Sequence, residues 1–373
     1  MRNILIVIFV NIHFGGLFSL LDEELKIRSE RFNRMAIDLL NAYSGEKHVS
    51  LNDIGSLEAF RKLLIGCWDT DLVLPALAVV GKTNKRTKLG GKPLVFVDGG
   101  ANIGKITGSI FSLFGNIPFR AFSFYSEEGL IVNRWTNGVT CPERVDTLET
   151  VVISVEPQPS NYQRLLKNAQ LNYWTLDGFF PVNKALTNKA GDWVHLEHSC
   201  SNRIDEVAHV VNESITPGFC HSKVETTSVS SLLDDLEVGD WSFRKGSNQV
   251  FLLKLDIEGE EPSVLASIGE ELLQGTIKFI TFEFISDWKS PEGLGKVLSD
   301  LWKIRFFCFL ILPEQLVPVS GPYWNPLAQK HWTNFLCGLI DDSDLVKVVN
   351  IHNAIFDSDW NSFRNEYMRE YVR

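Results

Sequence analysis

Four acidic residues lie at the ends of four apolar runs, and this placement is the first sign of a ligand site in the sequence. In chain order the residues are Asp98, Glu156, Asp256 and Glu283. Ionised carboxylates at buried strand ends are costly unless another group satisfies them. Ligands of open parallel sheets bind beyond the carboxyl ends of the strands, so we expect these acids to face a ligand that is cationic or rich in hydroxyl groups.

A glycine-containing turn follows the first of these acids. Residues 98–104 read DGGANIG, and Gly100 and Gly104 allow a tight turn and a close approach of the backbone to a ligand. The helix predicted after Gly104 presents unpaired N–H groups and a positive dipole end, which suit a carboxylate or a phosphate. The turn lacks the G-x-G-x-x-G spacing of dinucleotide sites, which argues against a nicotinamide-dependent oxidoreductase.

The elements that must position these residues alternate between strand and helix patterns from residue 93 onward. Apolar runs at 93–98, 150–157, 250–259 and 276–285 predict strands, each followed by a stretch of helical periodicity, and FFPVNKAL at 179–186 predicts a further strand, the third in chain order. Strands that are apolar along their whole length predict a parallel sheet covered on both faces. Two late runs, RFFCFLIL and NFLCGLI, have no clear helix between them and predict an antiparallel pair at one edge.

Several sequence blocks together resemble the FkbM family of S-adenosylmethionine-dependent methyltransferases. The first is D-x-G-x-N-x-G at 98–104, and the second is VEPQPSNYQRLLKNAQLN, which begins beside Glu156. KALTNKAGDWVHL and VETTSVSSLLDDL follow, and KLDIEGEEPSVL carries K-x-D-x-E-G-x-E from Lys254 to Glu261. The resemblance runs from about residue 94 to 285, with a fainter continuation to 340, and the order of the blocks is more specific than any one of them.

The resemblance implies a fold, a cofactor and an activity. The fold is an α/β class I methyltransferase (Rossmann-like) fold, with a mostly parallel sheet of seven strands, an antiparallel edge and an N-terminal helical extension. The cofactor is S-adenosylmethionine: its amino-acid end would be held by Asp98 and the glycine turn, and both ribose hydroxyls by the carboxylate of Glu156. The activity is methylation, and we expect the acceptor to be a hydroxyl of a glycan or small metabolite. The implied cofactor-binding residues are Asp98, Gly100, Ala101, Asn102, Gly104 and Glu156.

Asp256 is the leading candidate for a residue beside the reacting atoms, as the general base for an acceptor hydroxyl, and Glu258 is the second. A structural alternative for Asp256 is an ion pair with Lys254, which shares its strand face at i+2. Both interpretations stand on the sequence alone. Structural roles are favoured for Glu283, as a hydrogen-bonded strand end, and for Glu261, as an acid at a helix start.

Histidine and cysteine residues cluster between positions 195 and 221 without a metal-ligand pattern. Their spacings match no compact ligand set, and His195 and His198 would face opposite sides of a strand. The sequence therefore predicts no metal site. The residues concerned are His195, His198, Cys200, His209, Cys220 and His221.

Composition bears on the partners of the chain. The 373 residues carry a formal net charge of −10 and show no concentrated basic stretch of the kind that nucleic-acid binders present. We therefore expect a small-molecule or glycan acceptor and no nucleic acid. The alternative function is a non-catalytic secreted or membrane-anchored binding protein on a methyltransferase scaffold, because the cofactor is made in the cytosol and must be imported to a lumen.

The first residues and the cysteines bear on localisation. Residues 1–21 combine Arg2 with an apolar run and are typical of a signal peptide or signal-anchor, with a buried N-terminal element as the alternative. We therefore expect a secreted or single-pass membrane-anchored protein of the secretory pathway. In an oxidising compartment Cys200 and Cys220 can pair, whereas Cys308 and Cys337 are predicted to be buried thiols.

The predicted organisation has four parts. The signal segment is followed by a helical extension and linker at 22–92, a methyltransferase domain at 93–340 and a helical tail at 341–373. Glu156 lies 58 positions after Asp98 (156 − 98), which is a longer spacing than the resemblance to the family implies. The difference indicates an insertion at about 115–148. This insertion falls between a helix and the next strand, at the amino end of the sheet, so we expect it to leave the cofactor site intact and not to form a lid.

Overall fold

One large sheet organises the molecule. The structure is a computed structural model, and its eight-stranded sheet has the order β13-β12-β14-β11-β10-β1-β4-β5. The described residues are 73–74, 76–81, 93–114, 123–126, 129–132, 150–172, 174, 178–199, 208–211, 219–235, 249–284, 288, 293–311, 316–324 and 333–352.

The strands of this sheet alternate with helices along most of the chain. The strands of the large sheet are β1 (Leu94–Gly99), β4 (Thr150–Val155), β5 (Phe179–Val182), β10 (Val250–Leu255), β11 (Ile277–Phe284), β12 (Phe306–Ile311), β13 (Leu316–Pro318) and β14 (Thr333–Leu339). The helices are α1 (Lys105–Phe114), α2 (Pro159–Leu171), α3 (Val229–Asp235), α4 (Glu261–Ser267), α5 (Gly269–Leu273), α6 (Gly293–Lys303) and α7 (343–352), with a short 3-10 turn at Gly321–Tyr323.

The pairing directions match the predicted fold class. β1 pairs in parallel with β4 and β10, β4 pairs in parallel with β5, and β10 pairs in parallel with β11. β14 is antiparallel to both of its neighbours, β11 and β12. The α/β class I methyltransferase fold with a mostly parallel sheet and an antiparallel edge is therefore confirmed. The eighth strand is the short β13, which pairs with β12 at the edge.

The apolar strands are continuous because both faces of the sheet are covered. Along β1, Leu94 and Phe96 enter one hydrophobic cluster, whereas Val95 and Val97 enter the other. Successive side chains of a strand point to opposite faces, so a strand buried on both sides loses the alternation of polar and apolar residues. This two-sided burial is the physical reason that the sequence predicted β1, β4, β10 and β11 as apolar runs.

Helices on the two faces bury separate sets of side chains. Phe111 of α1 and Leu165 of α2 pack into the first cluster, and Leu74 and Leu77, from the helical residues 73–74 and 76–81, join them. α3, α4 and α6 pack on the other face. Burial of such side chains is the main stabilising term, at about 25 cal/mol per Å² of apolar surface.

The third predicted strand is divided between two sheets. The run FFPVNKAL was expected to form one strand, but β5 ends at Val182 and Ala185–Leu186 form β6 in a second sheet. That sheet has the order β6-β9-β7-β8, with β7 (Trp193–Ser199), β8 (His209–Val211) and β9 (Phe219–Thr227). Asn183, between the two strands, donates hydrogen bonds to the carbonyls of Glu156 and Pro157, which holds the chain at the point where it leaves the large sheet.

The insertion and the chain termini are described only in part. Within the insertion, β2 (Ser123–Ser126) and β3 (Gly129–Val132) form an antiparallel pair. The predicted position of the whole insertion, like the predicted signal segment at 1–21 and the end of the tail, lies outside the described residues. Among the residues that the structure describes, no helix is long and apolar enough to span a membrane.

One cysteine prediction is wrong. Cys308 on β12 and Cys337 on β14 form a disulfide rather than two buried thiols. The antiparallel register places the two residues directly opposite each other, with their Cα atoms 4.1 Å apart. Cys220 is also disulfide-bonded, and its predicted partner Cys200 lies outside the described residues.

Candidate active site

The glycine turn at the end of β1 is fixed to the end of β4. The backbone N–H groups of Gly100 and Ala101 both donate to the carbonyl of Val155, at 3.0 Å each. Asn102, with φ of 50°, donates its N–H to Oε2 of Glu156 at 2.7 Å. The turn and the carboxylate of Glu156 therefore form one connected unit at the carboxyl edge of the sheet.

Gly100 brings this turn against the exit of β10. Its φ is 72°, and a Cβ at this position would lie 1.7 Å from the backbone oxygen of Asp256. No side chain larger than hydrogen fits there without moving the backbone. Glycine is therefore required here because the turn packs against the backbone at the end of β10. The predicted approach of this glycine to a ligand stays a prediction.

Glu156 is buried and held by backbone donors on both oxygens. Its Oε1 accepts from the N–H of Gln158 at 2.8 Å, while Oε2 accepts from Asn102. Burial raises the pKa of Glu156 to about 7, although these two N–H groups and the charge of Lys254 act in the opposite direction. Each carboxylate oxygen can accept more than one hydrogen bond, so the pair retains the capacity to accept two hydroxyls.

Asp98 is fully buried and has its own protein partners. Oγ1 of Thr107 donates to Oδ2 of Asp98 at 2.6 Å, and Nζ of Lys254 lies 3.2 Å from Oδ1. Thr107 also shares a hydrogen bond of 2.7 Å with Ser154 of β4. The carboxylate has no exposed surface, so its effect on a bound ligand passes through the turn and through Lys254.

Lys254 connects the ends of β1 and β10. Its side chain is 4% exposed, and it donates to the carbonyls of Gly99 and Gly100 at 3.1 and 2.9 Å. It also pairs with Asp256 at 3.4 Å. Burial disfavours its charge, but the carboxylates of Asp256 and Asp98 outweigh burial and raise the pKa of Lys254. The ammonium is therefore a permanent charge beneath the turn.

Asp256 makes the ion pair that the sequence left open as its structural alternative, while its role as a general base stays a prediction. The predicted ion pair with Lys254 is present, and at the same time the side chain is 38% exposed at the strand end. Glu258 follows in the next turn with φ of 55° and is half-buried. One carboxylate oxygen from each of Asp256, Glu258 and Glu283 lies within 4.8 Å of the others.

Glu283 is a hydrogen-bonded strand end, as expected, because its side chain is hydrogen-bonded to Asp256, but one of its oxygens is left over. The residue is 5% exposed near the end of β11, and its Oε2 makes no hydrogen bond. Burial and the neighbouring Asp256 raise its pKa well above the ordinary value of a glutamate. Glu261 also has the expected structural role: it begins α4, and its two oxygens accept from the N–H groups of Ile257 and Gly259 at 2.7 and 2.9 Å.

The structure adds residues that the sequence prediction missed. Thr107 and Ser154 orient Asp98, and Asn168 of α2 donates to the carbonyl of Ile103 at 2.9 Å and thereby fixes the end of the turn. Thr107 could have been found from helical spacing, because it follows Gly104 by three positions and must face the sheet. Ser154 carried a weaker signal, as a hydroxyl inside an apolar strand.

The histidines of the second sheet do not converge. His195 and His198 lie on β7, where their register partners are Lys223 and Cys220, and Nε2 of His198 contacts the hydroxyl of Ser222 at 2.8 Å. Within the described part of the chain, the side chains close enough to share a metal ion are the three carboxylates Asp256, Glu258 and Glu283, and no histidine or cysteine joins them.

The polar groups at this edge of the sheet fit a positively charged nucleoside with a free pair of hydroxyls. A two-oxygen carboxylate lies at the end of β4, the backbone of a tight turn lies at the end of β1, and three further carboxylates lie beyond β10 and β11. Asn102 Oδ1 is buried without a hydrogen-bond partner beside the turn. Negative charge and acceptor atoms thus dominate the edge where a parallel sheet binds its ligands.

Comparison with known proteins identifies a family for most of the sheet. The family model described as "Methyltransferase FkbM domain" matches residues 98–303. The match begins at Asp98 and ends with α6, so β12, β13 and β14 complete the sheet beyond the matched range. A search of curated proteins by sequence gave no significant match.

Similarity to solved structures is weak, both in sequence and in three dimensions. The METTL16 MTase domain is 8% identical, with a TM-score of 0.34, over 71% of this chain and 66% of that domain, slightly under two thirds of its length. The human methyltransferase 10 domain containing protein is 9% identical, with a TM-score of 0.34, over 73% and 84% of the two chains. A magnesium protoporphyrin IX methyltransferase from Synechocystis PCC 6803 with bound SAM is 10% identical, with a TM-score of 0.25, over 86% and 98%.

Proposed function

We propose that this chain, which belongs to the FkbM family of methyltransferases, transfers a methyl group from S-adenosylmethionine to an oxygen of its acceptor. We further propose that the acceptor oxygen is a hydroxyl of a glycan or small metabolite. The observation that carries the proposal is the joined unit of Glu156 and the glycine turn, because it offers paired acceptor oxygens and bare backbone at adjacent strand ends.

The residues of this unit have separate tasks in binding. Glu156 accepts the two ribose hydroxyls, and its backbone partners hold both oxygens in place for them. Gly100, Ala101, Asn102 and Gly104 form the surface for the amino-acid end, and Asp98 and Lys254 support that surface from beneath. When bound, S-adenosylmethionine supplies a methyl group activated by its positively charged sulfur.

Asp256 and Glu258 are the proposed contacts for the acceptor. Both are half-buried beyond the end of β10, next to the glycine turn, so they can reach a second molecule that enters from solvent. Asp256 orients the acceptor hydroxyl and receives its proton, and the ion pair with Lys254 at 3.4 Å fixes the position of the aspartate. Holding the two reactants in line supplies a large share of the rate enhancement.

We also propose that the protein acts in the secretory pathway. The disulfide between Cys308 and Cys337 supports this location, because structural disulfides form and persist in oxidising compartments. The second disulfide-bonded residue, Cys220, lies on a different sheet and supports it independently. The apolar segment at 1–21 is the proposed targeting signal, as a signal peptide or a signal-anchor.

Two measurements on the purified full chain test the function. Calorimetry with S-adenosylmethionine should show binding to one site, and Glu156→Ala should weaken it at least tenfold, whereas Asp192→Ala, at an exposed acid just before β7, should not. Release of S-adenosylhomocysteine should then rise when a panel of hydroxyl acceptors is added. Absence of cofactor binding by the unmodified chain would refute the proposal.

Turnover separates the enzyme from the alternative of a binding protein. A catalytic chain converts the cofactor in the presence of at least one acceptor, and Asp256→Asn lowers that conversion without lowering cofactor affinity. Binding of the cofactor with no conversion across glycans, phenols and sugar alcohols would favour the non-catalytic alternative.

A further inference from the structure

The three carboxylates beyond β10 and β11 form a group that the proposed cofactor site does not use. Asp256 directly follows β10, and Glu283 is the penultimate residue of β11, its parallel neighbour. Leu255 and Phe282 are register partners, so the two carboxylates emerge at the same edge of adjacent strands. Glu258 reaches the same point from the turn before α4.

Lys254 offsets the charge of Asp256 only in part. Lys254 approaches Asp256 at 3.4 Å, but the same ammonium lies at 3.2 Å from the buried Asp98 and donates to two carbonyls. Glu261, the nearby acid of α4, is held by backbone N–H groups and does not offset the charge. The carboxylate of Asp256 in this cluster is therefore paired with an ammonium that the buried Asp98 shares.

Glu283 provides a second, independent sign of a missing partner. It is 5% exposed, and its Oε2 is buried with no hydrogen-bond donor. A buried carboxylate oxygen without a partner is costly, and such groups in folded proteins commonly mark an ion or water that completes the site. The other two carboxylates are half-buried, so the site is closed on the side of the sheet and open towards solvent.

We propose that Asp256, Glu258 and Glu283 bind one divalent cation of the magnesium or manganese type. All-oxygen sites built from carboxylates suit these hard cations and not the softer metals that prefer histidine or cysteine. Oxygens on one Mg²⁺ lie about 3 Å apart in adjacent positions and about 4 Å apart across the ion, since each bond is about 2.1 Å. The three carboxylate oxygens lie within 4.8 Å of one another, so they need to move only slightly closer together to bind one ion.

The role of the cation rests on the proposed function. An aspartate is a weak base for an alcohol, because the two groups differ by many pKa units. A cation at this position would bind the oxygen of the acceptor hydroxyl and lower its pKa, so that the oxygen of Asp256 that does not bind the cation can receive the proton. The open coordination positions face solvent, which favours an acceptor with two adjacent hydroxyls that can chelate the cation together.

Manganese titration followed by electron paramagnetic resonance tests the site without any turnover. The full chain should remove the signal of one equivalent of free Mn²⁺, and an excess of Mg²⁺ should restore that signal. Glu283→Gln and Glu258→Gln should each weaken binding at least tenfold. Asp300→Asn removes one charge from an exposed ion pair on α6 and should leave Mn²⁺ binding unchanged.

The outcomes distinguish the cation site from the proposed function. Glu258→Gln alters a half-buried turn residue and serves as the second variant if Glu283→Gln fails to fold. S-adenosylmethionine binding measured in the presence of a chelator should be unaffected by Glu258→Gln. If the unmodified chain binds S-adenosylmethionine but leaves the Mn²⁺ signal intact, or binds Mn²⁺ equally in both variants, the cation site is wrong and the methyltransferase proposal stands.

Discussion

At the scale of single residues, the protonation of Glu156 controls how the site can use its carboxylate. Burial raises its pKa to about 7, against the effect of two backbone donors. The charged groups that act on it are Lys254, which lowers the pKa, and Asp98, which raises it. The ionised form accepts hydrogen bonds on both oxygens, whereas the protonated form has lost part of that capacity.

The affinity for S-adenosylmethionine should therefore fall as the pH falls through 7. If the ionised form alone binds, the dissociation constant should be about tenfold larger at pH 6 than at pH 8, because about one tenth and nine tenths of the sites are ionised at these values. Calorimetry across this range measures the effect. Glu156→Gln should bind weakly and lose the dependence, and titration of the ligand itself is common to both proteins. Equal profiles for the two proteins would contradict this role.

Lys254 stabilises the carboxylates of Asp98 and Asp256, which repel each other. Lys254→Met leaves the fully buried Asp98 without its cation and removes two hydrogen bonds to the glycine turn. Removing one partner of a buried ion pair costs about 3 to 5 kcal/mol of unfolding free energy, which urea denaturation measures. Lys296→Met, on an exposed pair of α6, should cost at most about 1 kcal/mol. Similar losses in both variants would show that the buried network contributes little.

At the scale of elements, the glycine turn is defined by what it approaches. Gly100→Ala places a Cβ 1.7 Å from the backbone oxygen of Asp256, so we expect the turn to move and cofactor affinity to drop by at least tenfold. Gly191→Ala is the matched control, since its φ of 83° is similar but no atom lies within 4 Å of the added Cβ. That variant should lose only about 1 to 2 kcal/mol of stability and keep its affinity. Calorimetry and thermal melting of both variants give the comparison.

The elements also show which patterns predict structure and which do not. The central strands β1, β4, β10 and β11 were predictable because burial on both faces makes them almost entirely apolar, whereas the short edge strand β13 was not predicted. The division of FFPVNKAL between β5 and β6 was not predictable, because hydrogen bonds from Asn183 to the backbone at 156 and 157 turn the chain away. Such a side-chain contact depends on the tertiary fold and leaves no periodic signal in the sequence.

The same contrast holds for the site. Asp98, Glu156, Asp256 and Glu283 were identifiable because each ends an apolar run, and parallel strands bring such ends to one edge. Their individual partners were not identifiable, since Thr107 reaches Asp98 from a helix and is itself hydrogen-bonded to Ser154 on a different strand. The orphaned oxygen of Glu283 is likewise visible only in three dimensions.

At the scale of the whole molecule, a disulfide links the neighbouring antiparallel strands β12 and β14 near one edge of the sheet. Its two cysteines are 29 positions apart, and a loop of this length corresponds to about 3 to 4 kcal/mol of stabilisation in the chain-entropy account. Replacing Cys308 and Cys337 together with alanine should lower the unfolding free energy by about this amount. Denaturant unfolding gives the value, and addition of reductant to the double variant controls for the disulfide at Cys220.

The redox state of these cysteines also tests the proposed compartment. Protein isolated from its native cells and alkylated under denaturing, non-reducing conditions should yield a linked pair of peptides containing Cys308 and Cys337. Mass spectrometry distinguishes this product from two alkylated thiols. Alkylation of both cysteines would contradict the disulfide and remove its support for an oxidising compartment.

The most direct test of the central claim is a crystal structure of the full chain with S-adenosylhomocysteine. We predict that both ribose hydroxyls lie within hydrogen-bond distance of the Glu156 carboxylate and that the amino-acid end contacts the backbone of Gly100 to Asn102. A nucleoside bound elsewhere on the molecule, or one whose ribose does not contact Glu156, would contradict the account.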